Sequence, residues 1–425
     1  LNSSDARLER ILWINDKTGG GGAGKLYCTA ASVLAETGAT VAPFFGNHQP
    51  GEVPGEYLPF QPAALGDKNY AGFLRRSLGD SRLITQLRRM REAFKPTAVV
   101  VQNCHKYIGP EVIVEASTWG LPVILLVNDY GIYCANCYGW RAGSICHACI
   151  DHRFSRAVWK GCALRPDLVT KAMVASRSVA LSLAWRADAY FKANVVLTAG
   201  GAFSRRLVEA GFCEARVHAG IFPHEVLGAP VDFSPPPAST VPEYIYYGSD
   251  LPVKGQELLL EAVRHIKQRC RLSLYVLKPS EWLVSLVASA SHANPLVQVT
   301  LDAEARWDSG VREAVASARA VLIPSVWVSP HELVVYEAMA MGRAVLVTQC
   351  SSNAELIQDG VEGFVVNEAD PCMLAERLDC LSGELDRAEQ MGRAAKKRYL
   401  ETLLPAFWAQ TFFDALRTAR QNLLA

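Results

Sequence analysis

The stretch LIPSVWVSPHELVVYEAMAMGRAVLVTQCSSNAELIQDGVEGFVV, residues 322–366, decides the fold. Short β-rich apolar runs at 320–323, 344–347 and 363–366 bracket a helical pattern over 334–341. Strand, helix, strand repetition implies right-handed crossovers and a mostly parallel sheet covered on both faces. The alternation extends upstream through strands at 244–247, 272–277 and 297–301, with a helix over 256–269. An earlier series occupies 11–14, 40–45, 98–102, 123–128 and 195–198, with helical patterns over 27–36 and 109–118. Pro230, Pro235, Pro236, Pro237 and Pro242 separate the two series and read as a linker. The expected fold class is therefore α/β, with two Rossmann-like domains facing across a cleft, where open α/β sheets bind ligands at their carboxyl ends. The expected division is a first domain over 1–229, a linker over 230–242, a second domain over 243–400, and a closing helix over 401–425 that packs back on the first domain.

Composition narrows the function. Of 425 residues, 50% are hydrophobic and 20% charged, and the formal charge is +1, which excludes a disordered chain and gives no sign of a nucleic-acid binder. No apolar run reaches the roughly 20 residues that cross a bilayer. With no secretory leader pattern at the start, a cytoplasmic protein is expected. Residues 151–206 carry ten Lys and Arg against three Asp, interleaved with apolar residues. That segment reads either as a helix with a solvated basic face or as a peripheral contact with the anionic inner face of a membrane.

The run GGGGAGKLYC, residues 19–28, satisfies the front half of a phosphate-loop pattern. The pattern needs a Ser or Thr hydroxyl after the lysine to ligate Mg²⁺, and Leu26 stands there. An NTPase is therefore not expected. A glycine-rich turn opening a helix near Lys25 still favours an anion, so Gly21, Gly22, Gly24 and Lys25 are candidates to border a diphosphate. The competing reading is that the glycines only let two chain segments approach closely.

Twelve cysteines in a large chain without an export signal point to thiols and metal ligation. Cys134, Cys137, Cys146 and Cys149 form CxxC, eight residues, CxxC, a spacing that lets four thiolates meet one tetrahedral ion. A structural Zn²⁺ is the expectation; an iron–sulfur cluster, or free or disulfide-bonded cysteines, are the other readings. Cys162, His147 and His152 are alternative ligands.

The stretch 322–366 resembles the nucleotide-binding signature of retaining GT-B glycosyltransferases of family 4. The run VVYEAMAMGRAV places Glu337 at the glutamate that in the family accepts hydrogen bonds from the donor ribose, at the start of a helix. YIYYGSDLPVKGQELLLEAV, residues 244–263, looks like the family's FVGRLxxEKGxxxLLEA and places Lys254 where an ammonium holds charge on the leaving diphosphate. Asp359, Gly360 and Gly363 fit the DGxxG turn. LPVILLVNDYGIYCANCYGWRAGSICHACIDHRF, residues 121–154, resembles a subgroup with a cysteine-rich insertion, here about 130–165, after the fourth strand. That subgroup usually has glycine at the position of Cys137, so Cys134, Cys146, Cys149 and Cys162 form an alternative ligand set. VVLTAGGAFSRRLVEAGF, residues 195–212, parallels a further family run.

Three positions depart from the pattern. Asn128 replaces the histidine beside the donor sugar, Ser249 replaces a diphosphate-binding arginine, and Ser329 replaces the first glutamate of a Glu, seven residues, Glu pair. His331 and Glu332 take the usual Phe and Gly places, followed by Leu333 and Val334. Lys25, Arg205 and Arg206 are candidates to replace the lost charge. The resemblance implies a glycosyltransferase moving a sugar from a UDP or GDP sugar to a hydroxyl acceptor, a lipid-linked glycan among the candidates, in polysaccharide or glycosylated-metabolite synthesis. Lys254, Asn128 and Glu337 would act at the reacting centre, with no catalytic cofactor required. The rival expectation is a glycosyltransferase-like protein that binds nucleotide or a partner without sugar transfer.

Overall fold

The computed structural model describes residues 9–17, 22–47, 81–105, 108–163, 167–236 and 241–424. The chain divides into two compact units, the first built from residues 1–141, 146–225 and 405–425, the second from 142–145 and 226–404. Each is α/β around a six-stranded parallel sheet, the fold class expected from the alternating runs.

In chain order the strands up to residue 220 are β1 (Arg10–Lys17), β2 (Thr40–Asn47), β3 (Ala98–Val101), β4 (Val123–Leu126), then two short strands β5 (Trp140–Arg141) and β6 (Ser144–Ile145), and β7 (Val195–Ala199) and β8 (Val217–Gly220). The six-stranded sheet runs β2-β1-β3-β4-β7-β8. Its register places Ile11 beside Val41 and Ala98, and Leu125 beside Val196. β3, β4 and β7 are buried at every position, which is why they read as continuous apolar runs rather than alternating ones. The helix Pro405–Leu424 closes this unit. Its Trp408 and Phe412 are fully buried and lie 6.3 and 6.5 Å from the Trp13 ring. Truncating an aromatic of this kind costs about 3–5 kcal/mol. Arg420 pairs with Glu9 at 2.6 Å, and Asn422 donates to the Asn194 carbonyl at 3.0 Å. The helix after β1 begins at Gly22, not near Lys25, so the described glycines form its first turn.

The second unit's strands are β9 (Glu243–Gly248), β10 (Cys270–Val276), β11 (Val297–Asp302), β12 (Ala320–Ile323), β13 (Ala344–Thr348) and β14 (Gly363–Val366), in the order β11-β10-β9-β12-β13-β14. The order reverses direction between β9 and β12, the kind of switch point at which α/β sheets take ligands. The helix expected over 256–269 stops at Ala262 and tightens into a 3-10 turn, Val263–His265. Asn294 Nδ2 donates to the Val263 and Ile266 carbonyls at 2.8 and 2.7 Å, so the exit is fastened by a side chain from another segment. The proline-rich stretch is tied to this unit where it is described. Lys396 donates to the Pro230 and Asp232 carbonyls at 2.5 and 2.8 Å, and Arg393 lies 4.1 Å over the Phe233 ring.

Candidate functional site

The second unit's site grows from the ends of β9 and β12, which pair through Tyr244 with Ala320 and Ile245 with Val321. β9 runs out through Tyr247 and Gly248 into a 3-10 turn, Pro252–Lys254, that Gly255 ends in the left-handed region at φ 76°. A Cβ on Gly255 would lie 1.7 Å from the Pro324 carbonyl oxygen just after β12, so only glycine lets the turn rest against that strand end. The contact seats Lys254 beside Glu332. Lys254 Nζ donates to Glu332 Oε2 at 2.5 Å and lies 5.4 Å from the Trp327 ring centroid. The other carboxylate oxygen, Oε1, accepts from Ser325 Oγ at 2.5 Å, Ser329 Oγ at 3.1 Å and Asn353 Nδ2 at 3.3 Å. Asn353 also accepts the Glu332 N–H at 2.8 Å. Burial opposes a charge on Glu332, but Lys254 and the two serine hydroxyls outweigh it and hold the carboxyl below its usual pKa.

Two expectations change here. Glu337 is not at the helix start: it is the fifth residue of Leu333–Ala340, and Glu332 is the N-cap. The helix-terminus argument therefore belongs to Glu332. Ser329 does lack a carboxylate, yet its hydroxyl holds one, because the turn over 329–332 folds Glu332 back onto it. Glu337 is 4% exposed and accepts from Tyr247 Oη at 2.9 Å, which fixes its carboxylate against the end of β9. Leu333 and Val334 form the first turn of that helix, where backbone N–H groups precede any intrahelical partner. His331 is buried, its Nδ1 3.0 Å from Tyr336 Oη, and burial lowers its pKa to about 3, which favours the neutral imidazole. The Ser249 carbonyl accepts from Gln256 Nε2 at 2.8 Å, Tyr246 Oη at 3.2 Å and the Leu251 N–H at 3.1 Å, and its side chain is exposed. Tyr247, Ser325, Trp327 and Asn353 were not singled out in the sequence; serines, an asparagine and aromatics carry no signal until the turns bring them to the charged pair.

In the first unit Gly21 lies outside the described residues, as does Arg165. Gly22, Gly24 and Lys25 sit in the first turn of the helix Gly22–Glu36, with Gly24 buried and Lys25 exposed. Asn128 follows β4, and its Oδ1 is buried with no hydrogen-bond partner. Arg206 is engaged at 2.7 Å with Glu209 and 3.0 Å with His147 Nδ1.

Beneath the end of β4 lies a charged group that the sequence did not reveal. His105 Nε2 pairs with Asp129 Oδ2 at 3.2 Å, and Asp129 Oδ1 accepts the Gly131 N–H at 2.7 Å. Burial works against the imidazolium, but Asp129 prevails and raises the His105 pKa to about 10. Cys137 joins them: among the described residues, His105, Asp129 and Cys137 are the one group of three metal-ligating atoms within 4.8 Å of one another. Arg177, expected on a solvated basic face, is instead buried and hydrogen-bonded to Cys137. Its guanidinium opposes a second cation there. The same helix, Leu168–Arg186, exposes Leu168, Met173 and Leu183 beside Lys171 and Arg186, and Trp159 nearby is 87% exposed.

All twelve cysteines are free. Cys134, Cys146 and Cys162 are close enough to Cys149 to act on its charge; with burial as the larger cause, they raise its pKa to about 12.

Two parallel-sheet Rossmann-like units of this kind are the GT-B fold. HepE from Anabaena, solved in complex with UDP and glucose, superposes with a TM-score of 0.63 at 15% identity, over 96% of this chain and 99% of that one. Sucrose-phosphate synthase from Thermosynechococcus elongatus gives 0.66 at 15% identity, over 97% and 100%. In sequence, residues 242–383 match the family described as Glycosyl transferases group 1, and that segment contains Lys254, Glu332 and Glu337. Alpha-maltose-1-phosphate synthase of Mycolicibacterium smegmatis is 31% identical over 113 residues, 25% of this chain and 29% of that protein. Spore coat protein SA of Bacillus subtilis is 30% identical over 74 residues, 17% and 20% of the two chains. The matches thus span less than a third of these curated relatives. Among the described residues, no helix is long and apolar enough to cross a membrane.

Proposed function

We propose that the chain is a retaining glycosyltransferase that moves a sugar from a nucleoside diphosphate sugar to a hydroxyl acceptor. The observation that carries this reading is the largely buried Lys254–Glu332 pair at the strand ends of the segment 242–383 that matches the Glycosyl transferases group 1 family and also carries Glu337. Glu337, oriented by Tyr247, accepts the ribose hydroxyls. The N–H groups of Leu333 and Val334 receive the diphosphate, and Lys254 takes up the charge that grows on it as the sugar departs. Glu332 accepts a sugar hydroxyl in the second unit; in the first unit, Asn128 has a buried Oδ1 that offers an acceptor. The acceptor attacks on the face the leaving group vacates, and its proton passes to the departing phosphate oxygen, so no carboxylate nucleophile is needed.

A lipid-linked glycan is the acceptor we favour among the hydroxyl acceptors, because one helix face suits contact with a membrane surface. Trp159, Leu168, Met173 and Leu183 supply apolar contact, and Lys171 and Arg186 a charge that suits an anionic bilayer. The protein is expected to pellet with vesicles containing an acidic phospholipid, and the Lys171→Glu/Arg186→Glu variant to remain in the supernatant. Equal pelleting of both would remove the lipid assignment.

A second reading, nucleotide binding without transfer, is favoured by Ser249 and by the Glu332 carboxylate, which already neutralises Lys254. Thermal shift against UDP, GDP, ADP and ATP, then donor hydrolysis with the nucleotide that stabilises, separates the two. One nucleoside diphosphate is expected to raise the Tm of wild type, and the Glu337→Ala variant to lose most of that shift. Donor breakdown supports transfer; stabilisation without it, even with acceptor extracts, supports the second reading.

A further inference from the structure

We propose that Cys137 is a reactive thiolate, with His105, Asp129 and Arg177 as its charge partners, and that hydrogen peroxide converts it to a sulfenic acid. The fold aims this side chain by tying both of its backbone groups. Cys137 N donates to the Cys134 carbonyl at 3.0 Å, and the Cys137 carbonyl accepts the Tyr130 N–H at 3.2 Å. Between these bonds the backbone takes φ 71°, a left-handed conformation that a residue with a Cβ adopts only where its surroundings impose it. Gly131 makes room for the neighbouring ring, since a Cβ there would lie 2.5 Å from the His105 imidazole. Ligand atoms of His105, Asp129 and Cys137 all lie within 4.8 Å of one another. A thiol, an imidazole beside it and a third group that orients the imidazole are the parts that activate a nucleophile. Asp129 supplies the third part, with its Oδ2 3.2 Å from His105 Nε2. Arg177 is buried and hydrogen-bonds to Cys137 from the helix Leu168–Arg186.

Within this group two cations face one carboxylate, an excess that suits an anion at sulfur and not a bound metal ion. Burial opposes that anion, but Arg177 and His105 outweigh it and hold the Cys137 pKa below its usual value despite Asp129. Every other described cysteine whose pKa shifts is pushed up. Two donors are left over, because His105 Nδ1 and Arg177 Nη2 are buried with no hydrogen-bond partner. They suit the oxygens of a peroxide. The Asp129 side chain is 27% exposed, so the group meets solvent on one side, where a molecule as small as hydrogen peroxide can enter. The thiolate attacks one peroxide oxygen; an S–O bond forms as the O–O bond breaks. Sulfur gives two electrons to the peroxide, and the departing hydroxide takes the His105 proton and leaves as water. The sulfenic acid that remains no longer carries the charge that balances His105 and Arg177.

The test exposes the reduced full chain to hydrogen peroxide in the presence of dimedone, which adds to sulfenic acids, and follows each cysteine by peptide mass spectrometry. Cys213 and Cys372 are exposed and serve as references. Cys137 is expected to gain the label about tenfold faster than either, because thiolate character decides the rate once the oxidant has access. That comparison is made in wild type and needs no variant to fold. His105→Gln should slow the labelling of Cys137 by about tenfold and leave Cys213 unchanged, whereas Arg177→Lys, which keeps the charge, should retain most of the rate. The proposal is overturned if Cys213 or Cys372 reacts as fast as Cys137, or if Cys137 is labelled only after denaturation. It is also overturned if folded His105→Gln reacts like wild type, or if the purified chain holds a metal ion whose removal by a chelator is needed to expose Cys137.

Discussion

Replacing Lys254 with methionine is expected to lower unfolding stability by about 2–3 kcal/mol, because the Glu332 carboxylate, 10% exposed, would be left largely out of water without its counter-ion. The side chains are 20% and 10% exposed, so water can do little to restore the balance. Denaturant titration of the variant measures the loss. The double variant Lys254→Met/Glu332→Leu should recover most of it, because removing both charges removes the cost of stranding one. Sugar transfer should not recover: both variants are expected to lose about 10²- to 10³-fold in turnover, the size typical of deleting one stabilising donor. Stability equal to wild type in the single variant would show that the pair is not what holds the turn. The pH dependence has a definite sign. Glu332 has a depressed folded pKa, so its contribution is present above the ordinary carboxyl value of 4.5 and is lost as pH falls through the lower folded value. Acid should therefore narrow the gap between wild type and the single variant.

The second large effect is expected at Asp129. Exchange for asparagine keeps an acceptor for the Gly131 N–H but removes the charge that holds His105 protonated. His105 has a raised folded pKa, so its contribution is complete below the ordinary value of 6.5, declines as pH rises, and is gone beyond about 10. Wild-type unfolding free energy should fall across that window and the Asp129→Asn profile should be flatter. At pH 6.5 the variant is expected to be less stable by roughly 2–3 kcal/mol, since Asp129 is partly exposed. Near pH 10 the two should converge. Parallel profiles would mean that His105 is neutral in the folded protein.

The sheets were legible because β3, β4, β7, β12 and β13 are buried on both faces and spell unbroken apolar runs. Lys254 and Glu337 are singled out in the sequence by the motifs they share with the family, and the structure sets both near the end of β9. Glu332, a nucleotide-sugar-binding candidate standing at the family's usual Gly place, gives no sign in the sequence of its pairing with Lys254. The turn that folds it onto Ser325 and Ser329 depends on Asn353, which is distant in sequence and has no pattern of its own. Arg177 was misplaced for a related reason. A helix with charges on several faces does not reveal which one is buried until its neighbour, here Cys137, is known. The spacing of the cysteines suggested a pair of CxxC hooks, but spacing carries no information about where Cys137 points.

The contact between Gly255 and the Pro324 carbonyl has a dynamic consequence. The Val326 N–H donates to the Val253 carbonyl at 2.9 Å and ties the Lys254 turn to the segment that leads from β12 to Glu332, so the ammonium and the carboxylate are expected to move together. Their separation stays constant while either loop fluctuates, and the amides of Val253 to Gly255 and of Val326 to Glu332 should exchange with solvent at one common rate, as a single opening unit.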